Sequence, residues 1–158
     1  MHRENIIEKL SQYFEAHELV SPQVYEIYGN DSFQFLHTDL LECLLIIRKE
    51  LDRPITINNW FWGGEFTQRG LRDNLTPIFK SKFENNRLYL SGHVLGMAID
   101  FDVKGMTANE VRNWLAESDY LFPCKIRLER KLKGKFINWV HLDVKSQDKN
   151  PKVYLFDV

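Results

Sequence analysis

Apolar residues recur at helical spacing in the first third of the chain. A first stripe follows three- and four-residue steps and predicts an N-terminal helix; it consists of Ile6, Ile7, Leu10 and Phe14. A denser apolar run predicts a second, largely buried helix from residue 38 to residue 51. Thr38 has the side chain of an N-cap, and Pro54 lies just beyond the predicted end.

The pattern changes after Pro54, where short alternating segments predict strands. The predicted strands span residues 55–57, 88–90, 97–103, 125–129, 136–144 and 152–158. A capping box formed by Thr107 and Glu110 predicts a further helix after the third strand. Residues 65–86 have weak periodicity, which indicates a functional loop with room for one helical turn. Helices first and strands later predict one α+β domain over residues 1–158, with helices packed on a mainly antiparallel sheet.

Composition and charge exclude several classes of protein. The 158 residues carry a net charge of -1, whereas proteins that bind nucleic acid or anionic membranes through their charge need a basic surplus. The longest apolar run, residues 43–47, is far shorter than a membrane span. The first residues resemble no signal peptide, so we expect synthesis in the cytoplasm and a monomer without a nucleic-acid partner.

The two cysteines do not predict a disulfide framework. Cys43 and Cys124 are 81 positions apart and belong to no C-x-x-C motif. A domain of this size can build a sufficient apolar core without cross-links. Because Cys43 lies within the longest apolar run, we expect it to be a small buried residue.

Two histidines and an aspartate form the candidate metal ligands of this sequence. Alternation along residues 97–103 places Asp100 on the polar face of its strand, and alternation along residues 136–144 does the same for His141. His93 precedes the first of these strands and has a glycine on either side, at positions 92 and 96. Two imidazoles and one carboxylate suit Zn²⁺ and leave a fourth position for water, as hydrolysis requires.

Two short motifs carry a resemblance to a known family. The string S-G-H-V-L-G-M-A-I-D at residues 91–100 resembles the S-x-H-x-x-G-x-A-x-D signature of the zinc D-Ala-D-Ala carboxypeptidase and L-alanyl-D-glutamate endopeptidase family. The string W-V-H-L-D at residues 139–143 resembles the later W-x-H element of that family. The resemblance extends well over residues 88–144 and loosely over residues 55–72.

The resemblance implies a fold, a cofactor and a reaction. The implied fold is the Hedgehog/D,D-peptidase fold, and the implied cofactor is Zn²⁺ held by His93, Asp100 and His141. The implied activity is hydrolysis of a peptide bond in peptidoglycan, with a zinc-activated water as the nucleophile. With no signal peptide apparent, a phage- or prophage-encoded protein that acts on the cell wall fits better than a classically exported enzyme.

One position departs from the family pattern and leaves the general base open. Many members have an acidic residue three positions before the last histidine, whereas this chain has Asn138 there. Glu129 is the first alternative, because a hairpin would return it near His141, and Asp143 is the second. Both could equally be solvated hairpin charges. A non-catalytic domain that keeps the fold and the zinc site but only binds murein or a protein, in a phage-associated setting, is therefore the alternative function.

The substrate-binding residues are predicted from the arginines and tryptophans of the middle segment. Other members use an arginine to hold a substrate carboxylate, and the candidates here are Arg69 and Arg72. Trp60 and Trp62 belong to an aromatic fraction of 13% and would either line the cleft or pack under the long loop. His2, His17 and His37 fit no ligand spacing, and we expect them at the surface or its boundary.

Overall fold

The computed structural model describes residues 2–158 and contains an N-terminal group of helices. Four α-helices precede the first strand: α1 (Arg3–Leu10), α2 (Ala16–Leu19), α3 (Pro22–Tyr28) and α4 (Thr38–Leu51). Two more lie between strands: α5 (Pro77–Glu84) and α6 (Ala108–Glu117). Short 3-10 helices occupy Gly29–Phe35, Trp60–Trp62 and Asp119–Leu121. None of the helices in the described part of the chain is both long and apolar enough to cross a bilayer.

Five strands form one mixed sheet. They are β1 (Ile55–Thr56), β2 (Ala98–Val103), β3 (Ile126–Leu132), β4 (Lys135–Asp143) and β5 (Val153–Asp157). Their order across the sheet is β1-β2-β4-β3-β5. All neighbours are antiparallel except β3 and β5, which are parallel. The predicted α+β class is therefore confirmed.

Alternation along the three central strands divides the sheet into an apolar face and a polar face. The apolar face joins the buried side of α4 and α6 in one core; its strand members are Ile99, Phe101, Val103, Ile126, Leu128, Val140 and Leu142. Successive side chains of a strand point to opposite faces. The intervening residues, among them Asp100, Glu129 and His141, therefore project from the opposite face.

One predicted strand and one predicted helix cap differ from the structure, each for a physical reason. No strand forms at residues 88–90, where Leu88 is 86% exposed and lies beside no other strand. His37, rather than Thr38, caps α4: its Nδ1 accepts a hydrogen bond from the Asp39 amide at 3.2 Å. The Thr38 hydroxyl instead accepts one from Arg3 at 2.7 Å. A tertiary contact thus uses the side chain that the local pattern assigns to the cap.

Three helices were not predicted, because none of them has a periodic apolar stripe in the sequence. Helices α3 and α5 contain no fully buried residue, so no apolar stripe marks them in the sequence. Helix α2 has only four residues, too few for a periodic pattern. Helix α5 falls inside residues 65–86, the predicted functional loop, and is longer than the single turn expected there.

Candidate metal centre

The register of the central strands aligns three polar residues in one row across the sheet. Asp100 of β2 pairs with His141 of β4, and His141 pairs on its other side with Glu129 of β3. Directly opposed residues have Cβ atoms about 5 Å apart, so their side chains can meet. The predicted return of Glu129 to His141 by the hairpin is confirmed by this register.

His93 reaches the same row from the turn that precedes β2. The turn depends on Gly96, whose φ of 66° favours glycine. A Cβ atom at this position would overlap the Phe35 carbonyl. The His93 ring is buried, and its Nδ1 lies 2.9 Å from the carbonyl oxygen of Gly70. Nδ1 donates to that carbonyl, which leaves the Nε2 lone pair to face Asp100.

The three candidate ligands converge on one point. One ligand atom from each of His93, Asp100 and His141 lies within 4.8 Å of the other two. His93 Nε2 is 3.3 Å from Asp100 Oδ2, and His141 Nδ1 is 2.7 Å from Asp100 Oδ1. In a tetrahedral zinc site, neighbouring ligand atoms are about 3.4 Å apart. The group could therefore hold a metal ion after small side-chain adjustments.

A second set of contacts orients these three side chains. Asp143 is almost fully buried, and its Oδ2 lies 3.2 Å from His141 Nε2. Arg127 donates to both Asp143 oxygens, at 2.7 and 2.9 Å. Arg72 donates to Asp100 Oδ2 at 3.3 Å and to the Tyr89 hydroxyl at 2.6 Å. Partners of this kind fix ligand orientation and ligand basicity in metal sites.

Burial and charge shift the ionisation of the three ligands in different directions. Burial lowers the pKa of His93 despite the neighbouring Asp100. Burial also disfavours charge on His141, but its hydrogen bonds to Asp100 and Asp143 prevail and raise its pKa to about 9. Burial would raise the pKa of Asp100, yet the two histidines hold it well below its usual range. Without a metal, the row is thus a carboxylate bound to a protonated His141.

Glu129 is the carboxylate of the site that no cation holds. Within residues 2–158, its side chain forms neither a hydrogen bond nor an ion pair. Burial raises its pKa, His141 opposes that shift, and the negative charges of Asp100 and Asp143 reinforce it. By contrast, the pKa of Asp143 is lowered: burial disfavours its charge, but hydrogen bonds to His141 and Arg127 prevail. The two predicted bases therefore occupy different electrostatic surroundings.

A cavity of about 410 Å³ opens above the row. Its lining includes all three candidate ligands together with Glu129. Lys82 of α5 and Lys145, which follows β4, also line it, and neither forms an ion pair within the described residues. A second cavity of about 260 Å³ shares Arg72, Asp100 and Trp139 with the first and extends to the 65–69 loop. The candidate ligands thus lie in a continuous cleft.

The three predicted substrate-binding residues differ in where they lie relative to the two cavities. Arg72 lines both cavities but is engaged with Asp100 and Tyr89. Arg69 lines only the smaller cavity, where it pairs with Asp102 and lies over the Phe66 ring. Trp60 lines neither cavity.

Trp60 belongs instead to an aromatic cluster around His17. Its ring is 6.1 Å from His17, and the Phe61 ring stacks on the same imidazole at 4.0 Å. His17 is buried within this cluster, so its predicted surface position is wrong. The reason is tertiary, since the cluster joins α2 to a 3-10 helix about forty residues further along the chain. His37 and His2 are exposed, as expected.

Some residues of the site were not predicted from the sequence. Tyr89 and the Gly70 carbonyl contact Arg72 and His93 across long loops, and no local pattern indicates such contacts. Arg127 was detectable in principle, because alternation along β3 places it on the same face as Glu129. Trp139 belongs to the W-V-H-L-D string but was not predicted to line the cleft, and it lines both cavities.

Comparison of the chain with family models, with curated proteins and with solved structures finds no match.

Proposed function

We propose that this chain is a zinc-dependent peptidase that hydrolyses a peptide bond in the stem peptides of peptidoglycan, on a Hedgehog/D,D-peptidase-like fold. The observation that carries the proposal is the convergence of His93, Asp100 and His141 beside an unpaired Glu129, in one cleft. The two sequence motifs at residues 91–100 and 139–143 supply exactly these three ligands. The motif resemblance and the spatial convergence point to the same three residues.

The donor set fits Zn²⁺ better than the common alternatives. Two imidazole nitrogens and one carboxylate oxygen form a borderline-soft set, whereas Mg²⁺ and Ca²⁺ prefer oxygen ligands. Three protein ligands are also the number found in catalytic zinc sites, which keep one position open. When bound, Zn²⁺ would polarise the scissile carbonyl and lower the pKa of a water molecule at the open position.

Glu129 is the better candidate for the general base. Its carboxylate is unpaired, it faces His141, and its raised pKa brings it closer to neutral pH. It would accept the proton of the attacking water and then donate it to the leaving amine. Asp143 is held by both nitrogens of the Arg127 fork, so its role is to orient His141.

The free lysines are suited to bind a substrate carboxylate. Arg72 and Arg69 already pair with Asp100 and Asp102, which limits their use for a ligand. Lys82 and Lys145 line the larger cavity without an acidic partner in the described chain. A stem peptide with a free carboxyl end would satisfy these two charges while its scissile bond lies over the metal ligands.

The test combines metal analysis with a cleavage assay. The protein is purified without added metal and analysed by inductively coupled plasma mass spectrometry, then incubated with purified peptidoglycan while new amino groups are measured. We expect stoichiometric zinc and turnover that a chelator abolishes and Zn²⁺ restores. Glu129→Gln should keep the zinc and lose about 10² to 10⁴ in kcat, whereas His93→Ala should lose the zinc itself.

The alternative of a binding-only domain has one observation in its favour. Asn138 replaces the acidic residue that many members carry, and it is exposed. If zinc is stoichiometric and the protein sediments with peptidoglycan without releasing amino groups, the binding domain is correct and the peptidase is refuted. If zinc is absent, or His93→Ala binds it as the parent does, the metal assignment fails as well.

A further inference from the structure

The fold brings the two cysteines together although 81 positions separate them. Cys43 lies on the buried side of α4, and Cys124 lies in the segment just before β3. Their Sγ atoms are 3.8 Å apart, and both are free thiols. Neither contacts the candidate metal ligands, so this pair is separate from the site described above.

We propose that Cys43 and Cys124 are a thiol oxidation site that forms a reversible intramolecular disulfide. A disulfide bond is about 2 Å long, so the sulfur atoms must approach by a little under 2 Å. Rotation of the two side chains supplies such a movement, and Cys124 has room for it because it is only partly buried. The observation that carries the proposal is the pairing of two free thiols across the core.

Unequal burial of the two thiols determines the order of reaction. Cys43 has no exposed surface, so a dissolved oxidant can reach only Cys124. The hydrogen bond between the thiols lowers the pKa of Cys124, and Lys152 acts in the same direction. That hydrogen bond and burial raise the pKa of Cys43. Cys124 is therefore the thiolate that attacks first, and Cys43 resolves the intermediate.

The reaction balances with a small disulfide such as oxidised glutathione as the oxidant. The Cys124 thiolate attacks one glutathione sulfur, forming a mixed disulfide and releasing one glutathione thiolate, which takes up the proton of Cys124. Cys43 then loses its proton and attacks Cys124 Sγ, breaking the mixed disulfide and releasing the second glutathione. The two cysteines lose two electrons and two protons, and one oxidised glutathione becomes two reduced ones.

The cross-link would join the helical layer to a strand of the candidate site. Residue 124 is followed closely by β3, which carries Arg127 and Glu129. Oxidation therefore ties α4 to the strand that holds these two residues. Because the bridge closes a loop of roughly 80 residues, the oxidised protein should melt about 10 °C higher than the reduced one.

The experiment exposes the folded chain of 158 residues to oxidised glutathione and maps the products by mass spectrometry without reduction. In the parent we expect a mass lower by two hydrogens, a peptide pair linked through Cys43 and Cys124, and full reversal by dithiothreitol. In Cys43→Ala the mixed disulfide should persist on Cys124. In Cys124→Ala the buried Cys43 should stay unmodified, and circular dichroism checks that both variants are folded.

Three results would overturn the proposal. The first is a parent protein whose thiols both stay free, the second is a glutathione adduct on Cys124 that persists in the parent, and the third is a dimer linked through Cys124. Each is read from the parent alone, so the outcome does not depend on whether the variants fold. The melting temperature gives a second readout, since oxidation should raise it in the parent and leave it unchanged in Cys43→Ala.

Discussion

His141 holds a proton in the metal-free protein, and a metal ion must displace that proton to bind. Its Nδ1 lies 2.7 Å from Asp100, and its Nε2 lies 3.2 Å from Asp143. Both hydrogen bonds favour the charged imidazolium, and against the effect of burial they raise the pKa of His141 to about 9. Because the proposed Zn²⁺ would bind through the Nδ1 lone pair, protons and zinc would compete for this atom.

The size of the competition follows from that pKa. Each pH unit below about 9 adds roughly 1.4 kcal/mol to the free energy needed to bind zinc, because the proton must leave first. At about pH 7 the total is roughly 3 kcal/mol, or about a hundredfold in affinity. The dissociation constant should therefore fall about tenfold per pH unit between about pH 6.5 and pH 8.5. His93 adds no proton over this range, since its pKa is lowered.

The stability of the metal-free protein should fall as the pH rises, whereas its affinity for zinc should increase. The folded pKa of His141 lies above the value of about 6.5 in the unfolded chain. Its stabilising contribution is therefore complete below about pH 6.5 and is lost as the pH rises towards 9. In urea titrations of the metal-free protein, the free energy of unfolding should fall by up to roughly 3 kcal/mol across this pH range.

The assay is isothermal titration calorimetry, in which zinc is added to the metal-free protein in buffers with different ionisation enthalpies. We expect about one proton released per zinc near neutral pH, in addition to the pH dependence of the dissociation constant. Asp143→Asn is the matched variant: it should bind zinc about 10- to 100-fold more weakly at high pH. The dissociation constant of this variant should also stop changing at a lower pH than in the parent. One of the two hydrogen bonds that raise the pKa of His141 is weakened. A dissociation constant that does not change with pH, with no proton released, would refute the reasoning.

Three further predictions concern other parts of the molecule. Arg112→Met should lower the free energy of unfolding by roughly 2–4 kcal/mol in urea titrations, since Arg112 is only 2% exposed and its guanidinium donates to two backbone carbonyls of β4. Lys82→Gln should raise KM for a peptide with a free carboxyl end about tenfold at unchanged kcat, and Lys80→Gln, outside the cavity, should change neither. His17→Phe should lose less thermal stability than the parent between about pH 7 and pH 5, because burial lowers the pKa of His17 and protonation opposes folding below about pH 6.5.

Much of the candidate site could be predicted from local sequence pattern. Alternation along β2 and β4 assigned Asp100 and His141 to the polar faces of their strands, because a pleated strand repeats every two residues. The capping box at Thr107 and Glu110 likewise marked the start of α6, where both reciprocal hydrogen bonds form. Such features depend only on neighbours in the chain, so they can be predicted from the sequence.

Other features depend on residues that are distant in sequence, and only the tertiary structure decided them. Pairing of β2 with β4 places Asp100 opposite His141, 41 positions away, and no local pattern determines which strands become neighbours. Long-range packing elsewhere in the chain engages Arg72 with Asp100 rather than leaving it free for a substrate. It also brings two cysteines that looked isolated to 3.8 Å. Backbone geometry sets the face on which a side chain lies, whereas the packing of the whole core sets what it meets there.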